Sequence, residues 1–144
     1  MTAAAYPDPA DLLPYGHSAL QVDRILHHRP GAMTAVKAVS YHELDAHGGS
    51  ERPGRFPSTL VLESFLQTCG LLIAHEAVGG ADRLLVFGSA RNVRFEGSVC
   101  AGELLVNSVD LLDLDGDTAT FSGASTTGDG RAVLTVERAI TLLR

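Results

Sequence analysis

The sequence predicts an α+β domain in which one long central helix is wrapped by an antiparallel β-sheet. The first observation is a run from Ser58 to Ala77 whose apolar side chains cover nearly every direction of a helical wheel. A helix that is apolar on all sides is buried on all sides. The second observation is that the chain after this run alternates like β-strands and contains two Asp-Gly turn signals. One helix and one antiparallel sheet can bury these faces together if the sheet curves around the helix.

The chain length is compatible with a single domain. Its 144 residues are enough for one substantial core and too few for two. Residues 1–11 contain alanines, two prolines and two aspartates, and we expect them to form an N-terminal arm. We expect residues 12–144 to form the single domain.

The central helix carries the most informative polar residues. It is predicted to begin after Pro57, with Ser58 or Thr59 as its N-cap. Glu63 is its only charged side chain before the last turn, and Gln67 follows four residues later on the same face. Burying a charged group without partners is costly, so a functional role for Glu63 is favoured over that of a structural carboxylate.

The predicted strands lie on both sides of this helix. Those after the helix are Leu84 to Phe95, Glu103 to Leu114, Asp117 to Thr127 and Ala132 to Leu143. Two shorter strands, Ala19 to His27 and Met33 to Ser40, precede it, and a short helix is expected near Asp8 to Leu13. The resulting order, β-β-helix-β-β-β-β, is that of the hot-dog fold.

Composition excludes several classes of function. Apolar residues make up 45% and charged residues 19%, which is typical of a globular chain. The net charge of −6 and the scattered Lys and Arg argue against nucleic-acid binding. Cys69 and Cys100 form no disulfide or zinc pattern, which favours a reducing compartment, and Cys69 is expected in the core. No apolar stretch reaches the ~20 residues of a membrane span, and the first residues lack signal-peptide features, so we expect a cytoplasmic protein without membrane contact.

Three stretches resemble the FabZ-type 3-hydroxyacyl-carrier-protein dehydratases. Residues 13–25, LPYGHSALQVDRI, are similar to the family's LPHRYPFLLVDRV. Residues 56–70, FPSTLVLESFLQTCG, are similar to MPGVLILEAMAQAAG, and residues 91–105, RNVRFEGSVCAGELL, are similar to DNARFKRPVVPGDQL. The stretches occur in the family's order, which makes the resemblance fairly specific.

The resemblance implies a dimer of hot-dog subunits, either a homodimer or a heterodimer, with its active sites at the subunit interface. In the family, a His at the end of a loop and a Glu on the central helix act together from opposite subunits, and Glu63 matches that Glu. The His belongs to the motif GHFPGxP, and its position here falls on Gly49. His47 lies two residues earlier. Either His47 takes the family role through a shifted loop, or the chain lacks this base.

The implied reaction is dehydration of a 3-hydroxyacyl thioester held on the phosphopantetheine arm of an acyl carrier protein, in fatty-acid or polyketide biosynthesis. His47 suits the base that removes the α-proton, because imidazole titrates near operating pH. Glu63 suits the acid for the leaving hydroxyl, because desolvation in an apolar helix favours the neutral carboxyl. Free N–H groups around Ser58 to Leu60, including those of Ser58 and Thr59, can polarise the thioester carbonyl, and Gln67 can orient Glu63. No metal and no redox cofactor is needed, and none is expected.

Other residues and functions stay open. Arg91 and Arg94 are either a solvated strand edge or contacts for the acidic surface or the phosphate of the carrier. Leu66, Gly70 and Phe87 are guesses for the lining of an acyl tunnel. His47 is either the base or an exposed loop histidine, with His42 as the next candidate. The alternatives to a dehydratase are a non-catalytic acyl-binding subunit that partners an active dehydratase, and an acyl thioesterase on the same fold.

Overall fold

The computed structural model describes residues 5–46, 54–78 and 83–144. The helices are α1 (Pro9–Leu12), α2 (Tyr41–Ala46) and α3 (Ser58–Glu76), and the strands are β1 (Arg24–Arg29), β2 (Ala32–Ala38), β3 (Leu85–Phe95), β4 (Leu104–Asp115), β5 (Thr118–Thr127) and β6 (Ala132–Leu143). Among the described helices, none combines the length and the apolarity needed to cross a bilayer.

All six described strands form one antiparallel sheet in the order β1-β2-β4-β5-β6-β3. The hairpin predicted at Asp115-Gly116 joins β4 to β5, where Asp115 pairs with Thr118. β1 and β3 are the two edges of the sheet, and α3 packs against its inner face. The prediction of one long helix against one antiparallel sheet is confirmed.

The core lies between α3 and the sheet. Phe65 and Cys69 of α3 are fully buried, together with Val109 of β4 and Phe121 of β5. Gly123 brings the backbone of β5 close to the helix, because a Cβ there would overlap the Ser108 carbonyl and the Phe65 ring. The expectation that Cys69 is a core residue is confirmed.

A buried polar network crosses this apolar core. Asn107 of β4 donates from Nδ2 to the hydroxyl oxygens of Ser64 at 2.8 Å and Thr68 at 3.2 Å. Its Oδ1 accepts a hydrogen bond of 2.6 Å from the hydroxyl of Ser125 on β5. All four side chains are at most 1% exposed. Because each has partners, the network fixes the register of α3 on the sheet without orphaned polar groups.

The C-terminal end of α3 is joined to the turn between β1 and β2. The Glu76 carboxylate accepts from the Gly31 backbone N–H at 3.0 Å and contacts His28 Nε2 at 2.9 Å. The backbone N–H of His28 donates to the Tyr6 hydroxyl at 3.1 Å. These contacts hold the first hairpin against the end of the central helix.

Two details of the chain before α3 differ from the sequence-based expectation. The first strand was expected from Ala19, but β1 begins at Arg24. The helix α2 was not predicted, although Ser40-x-x-Glu43 is a capping box. The Glu43 backbone N–H donates to the Ser40 hydroxyl at 3.2 Å, and the Glu43 carboxylate accepts from the Ser40 backbone N–H at 3.0 Å. These reciprocal bonds start a helix that has too few apolar residues to show a periodic pattern.

Candidate active site

Gln67 is the polar centre of the candidate site. Its side chain is buried, at 3% exposure, and Oε1 accepts from the Gln21 backbone N–H at 2.6 Å. Nε2 donates to the Ala19 carbonyl and to Glu63 Oε1, both at 2.9 Å. A backbone N–H can only donate and a carbonyl can only accept, so these two groups determine the orientation of the amide. Gln67 is therefore the donor and Glu63 Oε1 the acceptor in their hydrogen bond.

This bond leaves the second oxygen of Glu63 for chemistry. Because Oε1 already accepts from Gln67, Oε2 is the better placed oxygen for a carboxyl proton. Glu63 is half-buried and lines a cavity of about 90 Å³ beside α3. The Glu63 carboxyl is thus part of a cavity that both polar and apolar residues line.

The apolar lining of this cavity comes from several elements. Leu66, Gly70 and Ala74 continue the Glu63 face of α3, and Leu85 and Phe87 belong to β3. The three residues guessed for a tunnel, Leu66, Gly70 and Phe87, all lie in this lining. Gly70 allows the Leu13 side chain to pack closely on α3, since a Cβ at position 70 would come within 3.3 Å of it.

The segment from Ala19 to Gln21 is fastened to α3 instead of extending the first strand. Gln67 binds the Ala19 carbonyl and the Gln21 N–H, and the Ser64 hydroxyl donates to the Gln21 carbonyl at 2.7 Å. The Gln21 backbone is therefore held at its N–H and at its carbonyl by helix side chains. Because helix side chains hold these backbone groups, β1 begins only at Arg24, and the prediction of a strand from Ala19 was wrong there.

Tyr15 is a cavity residue that the sequence reasoning missed. It lies just before this segment and lines the same cavity as Glu63. Burial, and then the negative charge of Glu63, raise the pKa of the Tyr15 phenol above its usual value of 10.0. Its signal in the sequence is its place in LPYGHSALQVDRI, at the position of the His in the family's LPH.

Ser58 and Thr59 lie at the exposed first turn of α3. The expectation that one of them is the N-cap is wrong, because Pro57 is the N-cap and no side chain caps this end. The Pro57 carbonyl accepts from the N–H groups of Leu60 and Val61, both at 3.0 Å, so Ser58 is already helical. Within the described residues, the N–H groups of Ser58 and Thr59 have no hydrogen-bond partner. Neither residue lines the cavity of Glu63.

Arg91 and Arg94 are exposed on the edge strand β3 and stand apart from that cavity. Arg91 pairs with Arg138 of β6, and Arg94 pairs with Thr135. Asn92, between them, has a left-handed φ of 50° and binds Glu137 across the ladder. The two arginines are thus available at the surface.

The histidine predicted to act as base, His47, lies outside the described residues. His42 is exposed on α2 and does not line the cavity. In the described part of the chain, no group of three or more His, Cys, Asp or Glu side chains is arranged to hold a metal ion.

Comparison with known proteins shows the family of this chain. The family model described as a FabA-like domain matches residues 13–137. The chain belongs to the FabA-like family. It is 34% identical over 136 residues to the 3-hydroxyacyl-[acyl-carrier-protein] dehydratase FabZ of Tolumonas auensis, which covers 90% of this chain and 89% of the relative. The corresponding enzyme of Aeromonas salmonicida is 34% identical over 133 residues, covering 88% and 86%.

Solved structures confirm the hot-dog fold of this FabA-like chain. The dehydratase heterocomplex ApeI:P from Xenorhabdus doucetiae aligns with a TM-score of 0.83 at 18% identity, covering 96% of this chain and 92% of the other. A hypothetical thioesterase protein with coenzyme A from Streptococcus pneumoniae aligns with a TM-score of 0.67 at 15% identity, covering 90% and 91%. At such identities the likeness concerns the fold.

Proposed function

We propose that this FabA-like chain is a dehydratase that converts a 3-hydroxyacyl thioester, carried on an acyl carrier protein, into the 2-enoyl thioester and water. The observation that carries the proposal is the Glu63 carboxyl, which is oriented by Gln67 and lines a cavity beside α3. Relatives named as 3-hydroxyacyl-[acyl-carrier-protein] dehydratases over most of the chain support it. The pathway is fatty-acid or polyketide biosynthesis, in the cytoplasm.

We assign the acid step to one atom, Glu63 Oε2. A base removes the α-proton, and the C–H electron pair moves onto the thioester carbonyl as an enolate. That electron pair then forms the Cα=Cβ double bond as the C–O bond breaks, and Glu63 Oε2 gives its proton to the leaving hydroxyl, which departs as water. The hydrogen bond from Gln67 to Oε1 supports the choice of Oε2 as the proton donor.

We assign the base to His47 of the adjacent subunit, following the family resemblance and a two-residue shift of its loop. We assign the backbone N–H groups of Ser58 and Thr59, at the positive end of the α3 dipole, to the thioester carbonyl, where they stabilise the developing enolate. Neither role requires a metal or a redox cofactor.

The proposed assembly is a dimer of hot-dog subunits. The edge strand β3 supports this, because Val86, Phe87 and Phe95 are exposed there and Phe87 also lines the Glu63 cavity. An exposed apolar edge is suited to pairing with a second subunit. Arg91 and Arg94 on the same strand suit the phosphate of the phosphopantetheine arm or the acidic surface of the carrier.

A non-catalytic role beside an active subunit is the second candidate, and the Gly at position 49, where the family has its His, favours it. The solved dehydratase heterocomplex ApeI:P shows that two different chains of this fold class assemble. If the purified chain alone forms a dimer that produces enoyl thioester, this candidate is excluded.

The test of the acid is Glu63→Gln. Formation of 2-enoyl thioester from a 3-hydroxyacyl thioester, followed by its absorbance, is expected to fall by about 100- to 10,000-fold, the usual contribution of a positioned acid. Glu96→Gln is the matched control, because Glu96 is exposed and carries the same charge. Undiminished activity of Glu63→Gln would remove Glu63 from the mechanism.

The same assay tests the base. His47→Ala is expected to abolish turnover while the dimer stays intact in size-exclusion chromatography. His27→Ala, which changes an exposed residue of β1, is the control. Loss of activity in His42→Ala with full activity in His47→Ala would transfer the role of base to His42.

A further inference from the structure

Tyr15 is held in place from both sides although it lies in no helix or strand. Upstream, the buried side chain of Leu13 packs against Gly70 of α3. Downstream, the Gly16 carbonyl accepts from the N–H groups of Ala19 and Leu20, both at 3.0 Å. Gln67 then binds the Ala19 carbonyl at 2.9 Å. The same helix face therefore positions both Tyr15 and Glu63.

The Tyr15 hydroxyl is suited to donate a hydrogen bond in the cavity. The side chain is half-buried and lines the cavity together with Glu63. Its hydroxyl has no hydrogen-bond partner in the described residues. Burial and the neighbouring Glu63 charge raise its pKa, so the phenol keeps its proton throughout the neutral range. A protonated phenol beside a carboxyl acid is a donor and not a base.

We propose that the Tyr15 hydroxyl binds the 3-hydroxyl oxygen of the substrate and stabilises it as the leaving group beside Glu63. The proposal rests on the dehydratase function proposed above. The leaving oxygen has two lone pairs, so it accepts a hydrogen bond from Tyr15 while the other lone pair takes the proton of Glu63 Oε2. Tyr15 keeps its own proton, and its hydrogen bond strengthens as negative charge develops on the oxygen when the C–O bond breaks.

The first test measures turnover in Tyr15→Phe, which retains the ring and its packing. The kcat for a 3-hydroxyacyl thioester is expected to fall by about 100-fold, the usual effect of losing one donor to developing charge. Tyr41→Phe is the matched control, because Tyr41 is 72% exposed. Tyr15→His, which restores an N–H donor at this position, is expected to recover at least about 10-fold of the loss. Equal kcat in Tyr15→Phe and wild type would overturn the proposal.

The second test measures binding without turnover. In a Glu63→Gln background, the affinities of a 3-hydroxyacyl pantetheine thioester and of the saturated thioester of equal length are compared with and without Tyr15→Phe. Tyr15→Phe is expected to weaken binding of the hydroxylated ligand by about 5-fold, the effect of one neutral hydrogen bond, and to leave the saturated ligand unchanged. Equal weakening of both ligands would show contact with the thioester or the chain instead, and would refute the assignment.

The two proposals fail in different ways. If the wild-type chain produces no enoyl thioester, the dehydratase function is wrong, whereas the binding comparison still tests whether Tyr15 recognises a 3-hydroxyl group. If the wild type is active and Tyr15→Phe changes neither kcat nor the preference for the hydroxylated ligand, only the role of Tyr15 is wrong. The raised pKa also predicts that ionisation of Tyr15 lowers wild-type activity with a midpoint above pH 10.0, and that this decline is absent in Tyr15→Phe.

Discussion

Asn107 allows a quantitative test of the polar network inside the core. Replacing it by leucine retains nearly the same volume and removes every side-chain hydrogen bond of the amide. The affected partners are Ser64 and Thr68 on α3 and Ser125 on β5. Because all of them are buried, none can turn to water instead.

The structure indicates which partner is left without a bond. The Ser64 hydroxyl still donates to the Gln21 carbonyl at 2.7 Å, and the Thr68 hydroxyl still donates to the Ser64 carbonyl at 2.9 Å. The Ser125 hydroxyl, by contrast, loses its acceptor. An unpaired buried hydroxyl costs about 1–3 kcal/mol, and each of the two other lost bonds costs about 1 kcal/mol, partly offset by the apolar leucine. We expect Asn107→Leu to lower the free energy of unfolding by about 3 kcal/mol.

A second substitution separates this explanation from simple loss of packing. Ser125→Ala alone leaves Asn107 Oδ1 without a donor and is expected to cost about 2 kcal/mol. In the double variant neither orphan remains, so its loss should be smaller than that of Asn107→Leu alone, about 2 kcal/mol. The expected coupling energy is therefore about −3 kcal/mol.

Urea unfolding of the four proteins, followed by far-UV circular dichroism at one fixed protein concentration, measures this cycle. Comparable slopes of free energy against urea are required for the comparison. If the double variant loses the sum of the two single losses, the coupling is zero. The account of Ser125 as the orphaned group would then be refuted.

Two further predictions concern titratable groups outside the cavity. Cys69 is fully buried, and burial raises its pKa. A thiol reagent should therefore react with Cys100 alone in the native protein and with both cysteines after unfolding. Two rapidly reacting thiols in the native protein would contradict the placement of Cys69 in the core. For Glu43, burial raises the pKa, but the bonds from Lys37 and Ser40 outweigh it and hold the pKa below the usual 4.5. Because the pKa of Glu43 is lower in the folded state, its carboxylate stabilises the protein above pH 4.5, and this effect is lost as the pH falls further. The difference in unfolding free energy between wild type and Glu43→Gln, measured by urea unfolding, should therefore shrink on acidification. A difference that stays constant with pH would count against the pairing of Glu43 with Lys37.

The regular elements could be predicted from the sequence because their signals are local. The apolar run of α3 and the Asp115-Gly116 turn each identify an element without reference to the rest of the chain. The segment from Ala19 to Gln21 could not be recognised in this way. Its extended, partly apolar pattern favours a strand, and only the side chains of Gln67 and Ser64, more than forty residues away, take its backbone hydrogen bonds.

The candidate site was predictable in part for the same reason. Glu63 and Gln67 are related by helix periodicity, and their hydrogen bond confirms that they share a face. Tyr15 reaches the same cavity only through the packing of Leu13 on Gly70 and the hydrogen bond from Gln67 to the Ala19 carbonyl. No local sequence pattern indicates these two contacts. The surface position of Arg91 and Arg94 could be predicted because a strand edge exposes its side chains. The molecule that the two arginines bind could not be predicted, because it is not part of this chain.

The spacing of polar residues in α3 explains how the Glu63 carboxyl is positioned. Glu63 and Gln67 form one pair four residues apart, and Ser64 and Thr68 form a second, adjacent pair. The second pair binds the sheet through Asn107, Ser64 also donates to the Gln21 carbonyl, and the Gln21 N–H orients Gln67. The carboxyl that faces the cavity is therefore connected to the sheet through a continuous series of buried hydrogen bonds, so a shift of α3 along the sheet would have to break them. In the dehydratase proposed above, a carboxyl held in this way would keep its oxygens in one place while the substrate enters, which is the pre-organisation that proton transfer to a leaving group requires.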